Sequence, residues 1–355
     1  YFKNTSKLIN YFKFKNIHSF VVPGDRELGA NPAIILTGKK LKIPIIIHGS
    51  FYSFPWNVIR VRYSSRKHMS SRSGPLLNFL VGKFFRNSVK KYKDNEYIFS
   101  PGWLTLGMWL IKYLPSNPWV MGSGLSSYSF IKDKKEYNNY IELGVPEKKL
   151  ILTGKKEYDI LWNKNSNLNN LKLSYCEKNN ISFSEKIVIY AIPLYLEIGI
   201  TDYQTHREAV KKVIDEILGQ KANLIISFHP RADRSNIIDL LDHSRITIEE
   251  SSLIDFISIG DLFICGSSMT LEWAILSEIP IINYDYSNHK FNISEIFNGI
   301  VETDKINLNS EIRKLLSDSK YRNLILNKQK ILKNYYLDVY DNQCSHRIAN
   351  FFNEF

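Results

Sequence analysis

The amino-acid sequence predicts an α/β protein of two domains, each built on a parallel β-sheet. Two observations support this fold class. Short apolar runs rich in β-branched and aromatic residues alternate with helical patterns, as in parallel strands joined by crossover helices. The 355 residues also exceed what one hydrophobic core normally supports. The composition, 44% apolar and 23% charged, is that of an ordinary globular protein.

Apolar runs in both halves of the chain are predicted to be strands. The runs of the first half are 19–22, 43–47, 96–99, 119–121 and 150–152. Those of the second half are 186–190, 223–227, 246–248, 262–265 and 279–282. Because the chain opens with a helical pattern and reaches its first strand near Ser19, we expect the first domain to be incomplete at its start.

A polar stretch separates the two halves. Residues 163–185 are rich in Asn, Ser and Lys and are predicted to form a linker. The predicted N-terminal domain covers 1–162 and the predicted C-terminal domain covers 186–330. The remaining residues, 331–355, have a helical pattern.

The three cysteines, Cys176, Cys265 and Cys344, are far apart and odd in number, which favours a reducing compartment. They have neither the paired spacing nor the neighbouring histidines of a zinc site. No segment approaches the roughly 20 apolar residues that cross a bilayer, and the first residues lack the apolar core of a signal peptide. We therefore expect a cytoplasmic protein.

The net charge of +12 and the pI near 9.3 favour an anionic partner, such as nucleic acid, acidic lipid or a phosphate-bearing substrate. The sequence contains no helix-turn-helix, zinc module or aromatic RNA-binding signature, so a nucleic-acid partner is not expected. Part of the excess of lysine is also consistent with an AT-rich genome. The positive charge is therefore weaker evidence for an anionic partner.

The strongest local signal is a His-Pro turn directly after an apolar strand. Residues 228–231 read Phe-His-Pro-Arg, and open α/β sheets bind ligands at the carboxyl ends of their strands. His229 and Arg231 are suited to donate to phosphate oxygens, with Pro230 fixing the turn. The alternative is a surface turn whose His and Arg are only solvated.

A second signal is the small-residue turn 266–270 between an apolar strand and a helix. Backbone N–H groups at a helix N-terminus, the hydroxyls of Ser267 and Ser268, and the open approach left by Gly266 predict a phosphate site that needs no metal. In the alternative interpretation, Ser268 is an N-cap and Glu272 an ordinary early-helix acid. Both turns follow strands of the same half, which weakens that alternative.

In the first half, residues 21–30 also run from strand to turn to helix. This pattern predicts Asp25 and Glu27 at the sheet edge, where one carboxylate can act as general base for an acceptor hydroxyl. The alternative is helix capping by Asp25 with Glu27 complementing the helix dipole. His48, at the end of the next strand, is a further candidate base.

An amphipathic stretch at 76–93 gathers basic residues toward its end, and the run 103–114 is apolar almost all round. These features are suited to peripheral association with an anionic membrane surface. The alternative is that both segments bury their apolar sides in the domain.

Several common catalytic motifs are absent from the sequence. There is no phosphate-binding Gly-rich loop with Lys, no dinucleotide fingerprint and no nucleophile elbow, so kinase, dehydrogenase and hydrolase activities lack their usual support. Apart from Asp25 and Glu27, which stand at a helix start, the sequence lacks the paired acids typical of a metal-dependent sugar transferase. Neither a metal nor another cofactor is expected.

The His229-Pro230 and Ser267-Ser268 turns resemble those of bacterial GT-B transferases that use cytidine-activated donors, including sialyl-, Kdo- and glycerophosphotransferases. In that set both turns bind the donor's cytidine phosphate. The resemblance gives Thr270 and Glu272 supporting roles on phosphate or ribose.

A wider resemblance is to the UDP-N-acetylglucosamine 2-epimerase branch of the same fold. It rests on the Gly-Asp-Arg turn 24–26, on 43–49, on the Leu-Gly-Val-Pro and Leu-Thr-Gly segments 143–146 and 152–154, and on the His229 turn. The sequence departs from that branch where Ser267-Ser268 replaces a Ser-Gly-Gly turn. Both resemblances imply a GT-B fold, in which two Rossmann-like domains have parallel sheets facing across a cleft and the helix 331–355 crosses back to the N-terminal domain.

The function implied is that of a metal-independent glycosyltransferase. It takes a sugar from a nucleotide-activated donor, a CMP-linked nonulosonic acid or Kdo-type sugar being favoured, to a bacterial surface glycan or glycolipid acceptor. The two C-terminal turns stabilise the leaving phosphate, and an inverting outcome follows if Asp25, Glu27 or His48 is the base. Two alternatives stay open: a UDP-N-acetylglucosamine 2-epimerase-like enzyme and a CDP-glycerol-type glycerophosphotransferase.

Overall fold

The computed structural model describes residues 2–26, 31–48, 59, 65–71, 74–268, 270–287, 297–335 and 338–354. The chain divides into two compact units. The first contains residues 1–155 together with 346–355, and the second contains residues 156–345.

The first unit contains a four-stranded parallel sheet. Its elements are α1 (Phe2–Phe12), β1 (Phe20–Val22), α2 (Asn31–Leu41), β2 (Ile45–Ile47), α3 (Leu76–Phe84), β3 (Val89–Tyr92), β4 (Asn95–Ile98), α4 (Gly102–Leu110), β5 (Tyr128–Ile131), α5 (Lys134–Glu142) and β6 (Leu150–Leu152). The strand order is β1-β2-β5-β6, and every pairing is parallel. Buried Val22, Ile45, Ile47 and Ile131 form its core with residues of the flanking segments.

The second unit contains a six-stranded parallel sheet. Its elements are α6 (Lys156–Ser166), α7 (Leu168–Lys178), β7 (Ile187–Ile192), α8 (Tyr203–Gly219), β8 (Asn223–Phe228), β9 (Ile246–Glu249), β10 (Leu262–Cys265), α9 (Leu271–Leu276), β11 (Ile281–Tyr284), β12 (Ile300–Thr303), α10 (Leu308–Ser317), α11 (Ser319–Lys333) and the start of α12 (Cys344–Asn353). Continuous apolar runs such as 187–192 form its central strands, because both faces of those strands are buried. The two parallel sheets confirm the predicted α/β class.

The strand order of the second sheet is β12-β11-β10-β7-β8-β9. From β7 the chain moves outward through β8 and β9, and then returns to the other side of β7 to place β10, β11 and β12. The reversal lies between β7 and β10, which pair directly from Leu262 with Val188 to Cys265 with Ala191. This is the strand order of a dinucleotide-binding fold, and its reversal point opens a crevice at the carboxyl ends of the strands.

Two of the predicted strands of the first half differ in the structure. The run 96–99 lies in β4, which pairs antiparallel with β3 in a separate hairpin closed by Lys93 and Asp94, with Lys93 at φ 52°. The run 119–121 is a turn region whose Trp119 and Val120 are nonetheless fully buried. Three strands were missed from the sequence: β3, β5 and β12.

The polar stretch 163–185 is not a linker. It continues α6 and contains α7, because its polar residues cover one side of helices whose other side packs on the turns 253–255 and 257–259. Asn165 is anchored there: its amide donates to the Leu276 carbonyl at 3.1 Å and accepts from the Ser258 hydroxyl at 2.6 Å. The units meet in sequence at Lys155 and Lys156.

The C-terminal segment returns to the first unit from His346 onward. Arg347 donates to the Thr153 carbonyl at 3.0 Å, and the Phe351 ring packs edge-on against Tyr128 and Phe130. The last residues of the chain therefore complete the side of the first sheet formed by β5 and β6.

The amphipathic stretch predicted over 76–93 is helical only as far as Phe84, and its basic end forms β3. The apolar run 103–114 contains α4, which leaves Trp103, Trp109 and Leu110 exposed. No helix among the described residues is long and apolar enough to span a membrane.

Candidate functional site

The carboxyl edge of the second sheet gathers three loops side by side. They follow β8, β7 and β10, which are neighbours in the sheet. The His229 turn and the 266–270 turn thus stand on either side of the loop after β7, about 10 Å apart by strand spacing. Both predicted turns lie where a parallel sheet with this reversal binds its ligand.

His229 is exposed at the end of β8 with its ring fixed by its own turn. The Arg231 backbone N–H donates to its Nδ1 at 3.1 Å, so the neutral imidazole carries its proton on Nε2. Desolvation, followed by the charge of Arg231, lowers the pKa of His229. At neutral pH the ring is therefore a neutral Nε2–H donor, beside the exposed Pro230 and Arg231.

Gly266 allows a tyrosine to close over the end of β10. A Cβ at this position would lie 2.8 Å from Cζ of Tyr195 and 3.1 Å from Cβ of Pro193. Tyr195 accepts a hydrogen bond from the Ser267 N–H at 2.8 Å. Burial raises the pKa of Tyr195, so its hydroxyl keeps its proton and can donate it to a ligand.

Tyr195 was missed in the sequence because it stands in an irregular loop after β7. It is nearly fully buried and packs edge-on against Tyr286 at 5.1 Å between ring centroids. The Tyr286 hydroxyl in turn lies 3.0 Å from Nδ1 of His206, whose pKa is lowered mainly by burial. These rings form a packed floor beneath the crevice.

The described residues of the 266–270 turn include three with hydroxyl groups: Ser267, Ser268 and Thr270. Ser267 Oγ is buried and has no hydrogen-bond partner within the described part of the chain. Ser268 Oγ accepts from the Thr270 N–H at 3.2 Å and lies 2.9 Å from the Thr270 hydroxyl. Ser267 and Thr270 use their backbone N–H groups within the protein, so these two N–H groups are not available to a phosphate, and α9 has only six residues.

Glu272 does not reach the crevice. Its side chain is fully buried, and the Tyr158 hydroxyl of α6 donates to its Oε2 at 3.4 Å. This geometry contradicts the supporting role on phosphate or ribose that the resemblance implied, because a carboxylate enclosed by α6 and α9 has no free path to a ligand at the strand ends.

Asp25 is placed at the carboxyl end of β1, as the sequence predicted, but it is fully buried. Its carboxylate accepts from the N–H groups of Gly122, Gly124 and Ser126 at 3.0, 3.0 and 3.4 Å, and from the Ser126 hydroxyl at 2.7 Å. Four donors occupy its lone pairs, so the carboxylate fastens the 122–126 loop and is a poor general base. The carboxylate of Asp25 makes these longer-range contacts in place of the helix cap that was the alternative interpretation.

The glycines of that loop are required by Asp25. Gly122 has φ 83°, in the left-handed region. A Cβ at Gly124 would lie 2.6 Å from the Asp25 carbonyl oxygen and 2.8 Å from its Oδ2. The loop can follow the carboxylate only with residues that lack a side chain at positions 122 and 124.

Glu27 lies outside the described residues. His48 is exposed at the end of β2, with its ring 5.7 Å from the Phe130 ring in an edge-on contact. Of the proposed bases in the described part of the chain, His48 has the accessible side chain.

A buried cluster of charges follows β5 and β6, which the sequence did not indicate. Lys132, Asp133, Glu136 and Lys155 are each at most 8% exposed. Asp133 Oδ1 accepts from the Glu136 N–H at 2.7 Å, while Glu136 Oε2 accepts from the Lys132 N–H at 3.0 Å, as in a capping box. Burial raises the pKa of Glu136 to about 7, although the charge of Lys132 opposes this.

Histidine, cysteine and acidic side chains do not gather into a metal-binding group of three anywhere in the described part of the chain. The three cysteines, Cys176, Cys265 and Cys344, are buried free thiols.

Two units with parallel sheets, one of them with the 3-2-1-4-5-6 strand order, define a class of two-Rossmann-domain folds that includes GT-B enzymes and nucleotide-sugar epimerases. The structure of S. aureus MnaA with UDP is similar to this chain over 98% of its length and 78% of the MnaA chain, with 16% identity and a TM-score of 0.56. The UDP-GlcNAc 2-epimerase of Neisseria meningitidis bound to UDP-GlcNAc matches 94% of this chain and 80% of its own, with 16% identity and a TM-score of 0.51.

A variant of the wall teichoic acid polymerase TagF matches 64% of this chain with 16% identity and a TM-score of 0.50. This chain spans 58% of that TagF chain. At these identities the likeness establishes the fold. No protein-family model matches the sequence, and no curated protein matches it significantly.

We expect Asp25→Ala to destabilise the first unit by at least about 3 kcal/mol, because three N–H groups and a hydroxyl lose a buried acceptor. Hydrogen exchange should show the Gly122 and Gly124 amides losing protection. The matched control is His48→Ala, at the same sheet edge but exposed, which should change stability by about 0.5 kcal/mol or less. Unchanged protection in Asp25→Ala would contradict the assigned role.

We expect Gly266→Ala to cost about 1–3 kcal/mol of stability, because the added methyl overlaps the Tyr195 ring. In a Tyr195→Leu background the same substitution should cost much less, and a double-mutant cycle measures this coupling. Gly219→Ala is the control, since a Cβ there meets nothing within 4 Å. Equal costs in the two backgrounds would show that the tyrosine does not require the glycine.

Glu136 should make the stability of the first unit pH-dependent. Its folded pKa of about 7 lies above the ordinary value of 4.5 for a glutamate. Its contribution is therefore fully present below pH 4.5 and is lost as the pH rises to about 7, at most about 3 kcal/mol. Denaturation at several pH values should show this decline in the native chain and its absence in Glu136→Gln. The exposed Glu142→Gln on α5 should keep the native profile, and a decline shared by all three proteins would exclude Glu136 as its source.

Proposed function

We propose that this chain is a nucleotide-sugar-using glycosyltransferase of the GT-B type. The observation that carries the proposal is the set of neutral donors at the reversal point of the second sheet. Tyr195, Ser267 and His229 belong to three adjacent loops there, and each has a proton or a lone pair not used by the fold.

These donors fit the chemistry of a departing nucleotide phosphate. Negative charge grows on the phosphate as the bond to the sugar breaks, and oriented hydrogen-bond donors stabilise that charge in the transition state. Tyr195 donates its hydroxyl proton, Ser267 its buried hydroxyl, and His229 its Nε2–H. Arg231 adds a permanent positive charge with bidentate geometry. This stabilisation is electrostatic and needs no metal.

The donor we favour is a cytidine-activated sugar, on the resemblance of the His-Pro and Ser-Ser turns. The acceptor we favour is a bacterial surface glycan or glycolipid, placing the enzyme in the cytoplasm at the inner face of the membrane. With Asp25 locked into its loop, we propose His48 as the base that deprotonates the acceptor hydroxyl. Direct attack by that hydroxyl gives inversion at the anomeric carbon.

A second candidate is a nucleotide-sugar epimerase. It is favoured by the extent of the likeness to MnaA with UDP and to the UDP-GlcNAc 2-epimerase, over 98% and 94% of this chain. A CDP-glycerol-type glycerophosphotransferase is a third, on the same cytidine resemblance. Incubation with donor alone separates the classes, since an epimerase converts a UDP-sugar without an acceptor.

Nucleotide binding is the first property to test, by thermal shift with CMP, CDP, UDP, GDP and TDP. A ligand that binds only the native state raises the melting temperature. We expect a cytidine nucleotide to give the largest shift. Loss of one hydrogen bond to a charged phosphate should weaken binding about tenfold or more in His229→Ala and in Ser267→Ala.

The second sheet offers a matched control. His243 has the same local turn, in which the Arg245 N–H donates to its Nδ1 at 3.1 Å, but it precedes β9 and lies at the opposite edge of the parallel sheet. His243→Ala should bind like the native chain. Stabilisation by UDP alone would favour the epimerase. The absence of a shift with every nucleotide, or an equal loss in His243→Ala, would overturn the proposed site.

A further inference from the structure

The helices α3 and α4 turn their large apolar side chains outward. Seven such residues on these two helices are between 42% and 83% exposed: Leu76, Leu77, Leu80, Phe84, Trp103, Trp109 and Leu110. The buried positions of the same helices are held mostly by small or polar residues: Asn78, Val81, Gly82, Gly102, Thr105 and Met108. This is the reverse of the pattern of a helix on a water-soluble core, and we call it the α3–α4 surface.

Specific contacts hold the helices in this orientation. The Asn78 amide donates to the carbonyls of Lys67 and Met69 at 2.8 and 3.0 Å, and its Oδ1 accepts from the Gly102 N–H at 2.6 Å. A Cβ at Gly102 would lie 2.9 Å from the Leu77 carbonyl oxygen. Rotating either helix to bury its apolar face would break these bonds, so the outward apolar face is a fixed property of the fold.

A cavity of about 630 Å³ opens beside the same surface. Its apolar lining includes Leu77, Trp103 and Leu104, and Lys67 and His68 stand among the other lining residues. An apolar recess next to a cationic side chain is suited to a molecule with an apolar part and an anionic head.

The charge around the α3–α4 surface is strongly positive. From Ser65 to Ser116 the sequence has nine Lys and Arg residues against two acids. One of those acids, Glu96, is held by Arg86 at 2.9 and 3.3 Å. Exposed Lys83 and Lys112 stand at or just beyond the ends of the two helices. A second copy of the chain would bring this cationic rim against itself, which disfavours self-association.

We propose that the α3–α4 surface docks on an anionic lipid bilayer. Tryptophan and leucine at the surface enter the interfacial region, while the surrounding lysines and arginines contact acidic headgroups. Each helix has nine residues, which are too few to cross a bilayer. Both helices therefore lie parallel to the membrane surface. The inference adds to the proposed membrane placement by naming the surface and the lipid charge. It does not rest on the proposed activity, because lipid binding requires no nucleotide.

The test is flotation of this chain with vesicles of phosphatidylcholine alone and with about one third phosphatidylglycerol. We expect binding to the anionic vesicles that is at least about tenfold stronger than to the neutral ones and is reduced at about 0.5 M salt. A blue shift of tryptophan emission should accompany binding.

Two sets of variants identify the surface. Trp103→Ser combined with Trp109→Ser, and Lys83→Glu combined with Lys112→Glu, should each reduce vesicle binding about tenfold or more. Leu324→Ser combined with Ile331→Ser is the matched control, since those side chains are 52% and 55% exposed on α11. Melting temperature and far-UV circular dichroism show whether each variant is folded.

The proposal is overturned if the native chain does not float with anionic vesicles, or if the α11 control loses binding as fully as the tryptophan variant. It is also overturned if light scattering shows a dimer that the tryptophan variant disperses while no vesicle binding occurs, since a second copy then covers the surface. A failure of nucleotide binding with vesicle binding intact would affect the proposed function alone.

Discussion

The position of β10 next to β7 determines what the second sheet can offer a ligand. The two strands pair directly, although about seventy residues separate them in the chain, and the connections leave their shared carboxyl edge uncovered. Gly266 ends one strand and the loop to Tyr195 follows the other, so a residue without a side chain meets a tyrosine ring. This pairing brings Tyr195 and Ser267 together, and the pairing of β7 with β8 places the His229 turn beside them.

Desolvation favours the neutral forms of Tyr195 and His229 at that edge. It raises the pKa of Tyr195, and with the charge of Arg231 it lowers the pKa of His229. At neutral pH each group therefore keeps one proton that it can donate in a hydrogen bond. Neither group has the desolvation cost of a charge. In the first unit, burial acts on the pKa of Glu136 together with neighbouring charges, because Glu136 is enclosed with two lysines and an aspartate. Its raised pKa is balanced against the attraction of Lys132.

Sequence patterns located the strands that are formed by continuous apolar runs. They also located both turns of the candidate site. They missed β3, which contains two lysines, and β5, where Ser129 interrupts the apolar run. They also missed β12, whose Glu302 is exposed at the sheet edge. Asp25 was assigned the wrong role because its partners lie 97 to 101 residues away. Tyr195 had no signal at all, since an irregular loop carries no periodicity from which burial can be inferred.

The α3–α4 surface illustrates a further limit of periodicity. The spacing of apolar residues over 76–84 correctly indicates a two-sided helix, but spacing alone does not say which side the protein covers. Here the covered side is chosen by the polar bonds of Asn78 to Lys67 and Gly102. Those bonds satisfy backbone groups that would otherwise need water as a partner. As a result, the apolar side of the helix stays uncovered by the protein. A bilayer interface with acidic headgroups is the environment that suits both the exposed tryptophans and the lysines around them.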